Sequence, residues 1–543
     1  GGAKVAGSGA YSVVTKGPLT NGGTSTQANG YFGAFLKFSG FDAVVIQGMA
    51  ESWKYIYIHD GRAEIRDASH LVGKDTWETE TLVKQDLGKT RRALSVVGIG
   101  PAGENLVRFA AIVGDEGHVA AHNGVGAVMG SKRLKAVAAA RGAGALALHN
   151  PERVHALGRQ MVEDIKYDSA HKNVFNLGIS LLFPLYAETG ILPVKNMTTN
   201  IFPNADKFSG EYYRTRFEVK NNPCWYCSSH HCSIIKVTEG PYAGYVGEEP
   251  EYECWAAFSS MIGQTDVGAA LMLNDVADRL GFDGNETGWL LGFTMECYEK
   301  GIITQKDTDG LQMNWGNVEA AREMMFRIAR RQGFGNVLAE GVMRAAQSIG
   351  GEALNCAVFI KKGHAPRGHD HRARWGEILD YAVSGTGTIE TGPIMALDHF
   401  SPESVGQKMA LEKTRFFVDS LVMCMFPSGT MGSGKIDHLV AILNAATGWD
   451  YTDAEARMQG QRISNLLRVF NLRHGVTVDS EAPSARYGSA PVDGPVRGKS
   501  IMPHWDRMLG RYYQTMGWDR KSGRPLPETL RAVGLENLVS DIW

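Results

Sequence analysis

Four of the seven cysteines in this 543-residue chain fall between positions 224 and 254. Cys224, Cys227 and Cys232 form a C-x2-C-x4-C run, and spacing of this kind lets one tight loop aim several thiolates at a single metal centre. Downstream, Pro250-Glu251-Tyr252-Glu253-Cys254-Trp255 brings two carboxylates and a thiol together. The first half of the stretch reads as the holder of an iron–sulfur cluster, and the second as the wall of an active site. His230 or His231 could instead complete a Cys3His zinc site. A disulfide framework suits the chain poorly, because its cysteines are sparse and odd in number. A cluster needs a fourth thiol. Cys297 lies in a helical pattern and Cys356 precedes the apolar run Ala357-Val358-Phe359-Ile360, so both read as buried core thiols. Cys254 and Cys424 remain as candidates.

Three more stretches carry residue types that could do chemistry. His364, His369 and His371 lie within eight residues. The favoured reading is a solvated, charged loop; a metal site and a substrate-facing loop that supplies protons are the alternatives. Gly98-Ile99-Gly100-Pro101-Ala102-Gly103 matches the dinucleotide glycine pattern, but that site also needs a helix to open there. The segment Val107 to Val113 reads as a strand, so a nucleotide role is set aside. Gly429 to Lys435 imitates a phosphate-binding loop, yet Ile436 stands where a magnesium-binding Ser or Thr is required.

The elements that must position these groups change character near Asn150. Before it, Tyr11–Thr15, Ala43–Ile46, Lys54–Ile58 and Ala93–Val97 are β-branched or aromatic runs, and Asp60-Gly61 is a hairpin turn. After it, Asn150-Pro151-Glu152 opens a mostly helical region. Asn317 caps a helix from Val318 to Gln332, and Asn336 to Ser348 is another amphipathic helix. The fold class is a mixed α/β (α+β) one, with a β-rich base and two mainly helical domains at 1–147, 148–358 and 359–543. A net charge of −2 gives no electrostatic case for nucleic acid or membrane binding. No apolar run is long enough to span a bilayer.

Several long motifs resemble the tungsten-containing aldehyde:ferredoxin oxidoreductase family over essentially the whole chain. They are Val13-Val14-Thr15-Lys16-Gly17-Pro18-Leu19-Thr20, Gly30-Tyr31-Phe32-Gly33, Ile99 to Val107, Gly124 to Lys132, and Leu192-Pro193-Val194-Lys195-Asn196. Family members begin upstream of Gly1, so an N-terminally truncated base domain is expected. The resemblance implies a tungsten bis-pyranopterin (tungstopterin), with magnesium bridging the pterins, and one [4Fe–4S] cluster. It implies that Asp278 and Asp283, in Asp278-Arg279-Leu280-Gly281-Phe282-Asp283, contact the pterins together with Asp419. It also makes Cys424, in Asp419-Ser420-Leu421-Val422-Met423-Cys424, the fourth cluster ligand beside Cys224, Cys227 and Cys232. Carboxylates suit the role because a pterin presents N–H donors.

Departures from the family pattern point to a divergent branch. The cluster run holds one extra residue. Cys254 follows the family's active-site glutamate, Glu253, and a thiol there could bind tungsten, because soft metals favour sulfur. Glu390 stands where the family has a catalytic histidine, and Ala10 where it has a basic residue. These features resemble the tungsten subunit of class II benzoyl-coenzyme A reductases. They imply ring reduction of benzoyl-CoA to a cyclohexadiene thioester, with aldehyde oxidation to a carboxylate as the alternative. Glu253, Glu390, Cys254, His364 and His369 are the implied catalytic residues, with burial expected to keep the carboxyls protonated. The implied partners are the acyl-CoA substrate and a ferredoxin or iron–sulfur electron-transfer subunit in a hetero-oligomer. The implied location is the cytoplasm of an anaerobe.

Overall fold

The computed structural model describes residues 1–142, 144, 146–167, 173, 176–388, 398–411, 413–426 and 436–543. A six-stranded sheet forms most of the base. Its strands are β3 (Lys54–His59), β4 (Arg62–Asp67), β5 (Leu94–Gly98), β6 (Ile112–Gly114), β7 (His118–Ala120) and β8 (Leu134–Ala140), in the order β4-β3-β8-β5-β6-β7. Only β3 and β8 pair in parallel. Alternate residues of β8 enter two cores, Val137 and Ala139 on one face and Ala136, Ala138 and Ala140 on the other. Both faces are covered, which accounts for the apolar run Ala136–Ala140 of β8. A separate hairpin pairs β1 (Tyr11–Lys16) with β2 (Gly23–Ala28). The remainder is mostly helical, around a large core that holds Trp255 and Trp289 with no exposed surface. Burying a large apolar side chain contributes about 1.5–3 kcal/mol.

The strands expected at Tyr11, Lys54 and Ala93 form, and Asp60 and Gly61 make the tight hairpin turn with φ of 45° and 73°. Three local expectations are corrected. Ala43–Ile46 is not a strand; Val45 is 82% exposed, and no partner strand borders the run among the described residues. Of the expected 107–113 strand only Ile112 and Val113 enter the sheet, as the start of β6, while Ala110 makes an isolated bridge to Phe282, and a one-turn helix opens at Pro101. The helix expected over 336–348 breaks into Phe334–Leu338 and Val342–Ile349 around Gly341, whose φ is 86°.

The Gly98–Gly103 motif acts in packing. A side chain on Gly100 would collide with the carbonyls of Arg279 and Leu280, and one on Gly130 with the carbonyl of Gly103. Gly100 lets the base press against the end of the Val267–Leu280 helix, where the first aspartate pair lies, and Gly130 lets the Val125–Ser131 helix approach the Pro101 turn within the base. The second glycine-rich run, Gly429 to Lys435, lies outside the described residues.

Candidate active site

The cysteine run is the loop of a hairpin between β9 (Glu218–Asn221) and β10 (Ser233–Lys236), with β11 (Val246–Glu248) on the other side of β10. The Asn222 amide donates to Cys232 O at 2.9 Å, closing the loop base, and the Cys227 amide donates to Cys224 O at 3.2 Å. The sheet domain holds the loop in place. Tyr31 Oη donates to Pro223 O at 2.8 Å, and the Trp225 amide to Gly30 O at 3.0 Å. Cys424 follows the Thr414–Ser420 helix, and its amide donates to Gly7 O at 3.0 Å. Burial pushes the Cys424 thiol pKa up, and the nearby Cys224 and Cys227 push it further. Cys224 Sγ and Cys232 Sγ lie within 4.8 Å of each other, and all four thiols are free. Three thiols on one loop and a fourth on a segment tethered to the base domain are the donor set a four-iron cluster takes. The imidazole at Cys224 belongs to neither His230 nor His231. It is His118 of β7, with Nε2 3.5 Å from the sulfur and 106 positions away in sequence. His231 Nε2 lies 3.7 Å from Cys232 Sγ and 3.3 Å from Glu251.

Both aspartates of the first motif are buried at a helix junction. Asp278 lies in the last turn of the Val267–Leu280 helix, which Gly281 ends with a φ of 80°. Its Oδ2 accepts from Asn274 Nδ2 at 3.0 Å. Burial, reinforced by Glu248 and Asp275, holds its pKa well above the usual carboxylate range. Asp283 caps the Gly284–Glu299 helix by accepting from the Asn285 amide at 2.9 Å. Burial opposes its ionisation, but His122, 3.5 Å away, outweighs that and lowers the pKa. A buried carboxyl short of donors, as Asp278 is, fits the amino and ring N–H groups of a pterin. Asp419 is half-buried and accepts from Arg415 Nε at 2.7 Å, so a cation already meets one of its oxygens. Cys254 lies on the short Tyr252–Ala257 helix and faces this junction, since a Cβ on Gly284 would come within 2.7 Å of its sulfur.

Beside Cys254, Glu253 is held by two basic side chains of the histidine loop. His369 Nε2 is 3.5 Å and Arg367 Nη1 3.8 Å from Glu253 Oε1. Burial would raise the Glu253 pKa, but His369 and Arg367 override it and bring the value down to about 2. These contacts favour the ionised form of Glu253, the opposite of what burial alone leads one to expect. The loop itself corrects a second expectation. His364, His369 and His371 are 2%, 3% and 0% exposed, so the loop is buried instead of solvated. It is anchored by Trp289 Nε1 donating to Pro366 O at 2.7 Å and the Gly368 amide to Asn285 Oδ1 at 2.8 Å. Glu377, on the Trp375–Val383 helix, forms its hub. Arg367 Nη2 donates to Glu377 at 2.7 Å and Arg374 Nη1 at 3.0 Å, and His371 Nε2 lies 2.9 Å away. His364 sits apart, near Tyr381, and burial lowers its pKa to about 3, which leaves the ring neutral. Glu390 lies outside the described residues.

Glu377→Gln leaves two guanidinium groups short of a buried countercharge. A loss of about 3–5 kcal/mol in urea unfolding is expected, the range for breaking a buried ion pair from one side.

The geometry can be set beside known proteins. A family model described as the N-terminal domain of aldehyde ferredoxin oxidoreductase matches residues 1–141, and one for domains 2 and 3 matches residues 156–535. The tungsten-containing aldehyde ferredoxin oxidoreductase of Pyrococcus furiosus is 36% identical over 547 residues, covering 97% of this chain and 87% of the relative. The WOR-like subunit of an aliphatic sulfonate oxidoreductase from the same organism is 31% identical over 553 residues, covering 96% of this chain and 85% of the relative. A solved structure, the active site complex BamBC of benzoyl coenzyme A reductase with 1,5-dienoyl-CoA, aligns with a TM-score of 0.84. It covers 99% of this chain and 88% of the other at 23% identity, a likeness of fold. No helix among the described residues is long and apolar enough to cross a membrane.

Proposed function

Since this chain belongs to the aldehyde ferredoxin oxidoreductase family of tungsten-containing oxidoreductases, we propose that it oxidises an aldehyde to a carboxylate, with a ferredoxin-type protein as electron acceptor. The observation that carries this reading is the Glu253 carboxyl, set between Cys254 and the Arg367 and His369 side chains 3.8 and 3.5 Å away. Oxidation consumes water: aldehyde and water give carboxylate, two electrons and three protons. A carboxylate held ionised in a partly enclosed site can accept a hydrogen bond from that water, orient it, and take its proton as attack on the carbonyl makes the water acidic; the basic groups that ionise it also weaken it as a base. Arg367 and His369 favour the base form, and Glu377 holds Arg367 and lies 3.7 Å from His369 Nδ1. Asp278, Asp283 and Asp419 would hold the pterins, and Cys224, Cys227, Cys232 and Cys424 the [4Fe–4S] cluster; a magnesium ion between the pterins belongs to the same proposal. When bound, the tungsten–pterin group supplies the two-electron acceptor and the cluster a one-electron relay.

Reduction of the benzoyl-CoA ring, in a hetero-oligomer with an iron–sulfur subunit, is a second proposal favoured by one observation, the Cys254 thiol facing the Asp278–Asp283 junction. It requires proton donors, and the contacts that favour the ionised form of Glu253 weigh against it. Protein purified without oxygen tests both. Near one tungsten and at least four iron per chain are expected, with aldehyde-dependent reduction of a viologen dye. A fully loaded protein that ignores aldehydes and reduces benzoyl-CoA overturns the first proposal. In that case Cys254→Ser should abolish ring reduction while iron content holds; full activity in the Ser variant would remove the sulfur from the metal's coordination.

A further inference from the structure

His118 has no place in the chemistry so far, yet it is 7% exposed and both ring nitrogens face partners. Nε2 lies 3.5 Å from Cys224 Sγ, and Nδ1 lies 3.5 Å from Glu248 Oε1. The ring nitrogen, Cys224 Sγ and Cys232 Sγ all lie within 4.8 Å of one another. Its position is built by the backbone. The turn from β6 to β7 runs through Asp115, Glu116 and Gly117 with φ of 49°, 63° and 120°, which aims His118 at the cysteine loop. Two non-glycine residues with left-handed backbone in succession are uncommon, and such strain persists only where surrounding contacts enforce it. Here Asp115 accepts from the Tyr31 amide at 2.7 Å and from Ser95 Oγ at 2.9 Å. Tyr31 also donates to Pro223 in the cluster loop, so turn and loop are tied together. A Cβ on Gly30 would lie 2.8 Å from His118 Cδ2, so the ring is packed closely on that side too.

We infer that His118 is a positioning residue that donates a hydrogen bond to the cluster through Cys224 and so raises the cluster's reduction potential. The inference rests on the four-cysteine cluster proposed above and on no choice of substrate. Hydrogen bonds to ligating sulfurs are one of the levers that set iron–sulfur potentials. A donor at sulfur stabilises the reduced, more negative cluster more than the oxidised one. Glu248 on the far side of the ring fixes its orientation, as outer-shell partners of ligands do.

The test is a redox titration followed by electron paramagnetic resonance on protein purified without oxygen. Wild type, His118→Leu and His118→Gln are compared, with iron per chain measured for each. The Leu variant should keep its iron and show a more negative midpoint. The Gln variant, whose Nε2 can still donate, should recover part of the difference. Equal midpoints in wild type and the Leu variant overturn the inference while leaving the cluster standing, as does a Gln variant displaced as far as Leu. Absence of any cluster signal in fully loaded wild type overturns the inference and the cluster assignment together.

Discussion

Glu253→Gln is expected to lower aldehyde turnover by about 10²–10⁴-fold, the usual contribution of a positioned general base. Gln keeps the volume and the hydrogen-bonding shape but cannot take a proton from water. Tungsten and iron per chain should match wild type, because neither the Asp278–Asp283 junction nor the cysteine loop loses a group. The pH dependence separates this role from a structural one. Glu253 is depressed to about 2, so its stabilising ion pairs are fully present above its ordinary unfolded value and are lost only as pH falls toward 2. Wild type should therefore exceed the Gln variant in stability at pH 7, with the gap closing in strong acid. Over the same neutral range the wild-type activity profile should carry no acid limb from this residue. A Gln variant retaining most of its aldehyde turnover, fully loaded, would remove Glu253 from the chemistry.

How much of this was legible in the sequence depends on the range over which each signal acts. The C-x2-C-x4-C run advertises itself because three soft ligands in one loop have few other uses, but the hairpin that presents it was not legible, since its first strand, Glu218-Val219-Lys220-Asn221, has little β propensity. The carboxyl states were not legible. Burial alone predicts a protonated Glu253, and the cations that reverse this arrive from a loop more than a hundred positions downstream. The same loop reads as solvated because Arg, His and Asp crowd it, yet its charges meet on Glu377 and are buried as a neutralising network. His118 left no signal at all, since its contact with Cys224 depends on a strained turn and on Tyr31 bridging to Pro223. The misread strand at Ala43–Ile46 shows the opposite failure. β-branched residues supply propensity, but a strand needs a neighbouring ladder, and Val44 and Val45 stand exposed.

Cys424→Ser is expected to empty or cripple the cluster. Iron should fall well below four per chain, and electron transfer to ferredoxin should drop by more than the roughly 10–100-fold that outer-shell changes cost in metal sites. The reason lies in the convergence of two segments. Cys224, Cys227 and Cys232 come from one loop, whereas Cys424 comes from beyond the Thr414–Ser420 helix and is tethered to Gly7 through its own amide. That tether keeps the backbone in place when the side chain changes, so the substitution should remove a ligand without unfolding the segment. A Ser oxygen is a hard donor and a poor replacement for thiolate at iron and sulfide. Cys297→Ala supplies the control, because Cys297 is fully buried in the Gly284–Glu299 helix and its thiol pairs with Cys356 instead of the cluster run. That variant should lose stability and keep its iron. The reverse pattern, with iron lost at Cys297 and intact at Cys424, would reassign the fourth ligand and detach the Asp419–Cys424 segment from the metal centre.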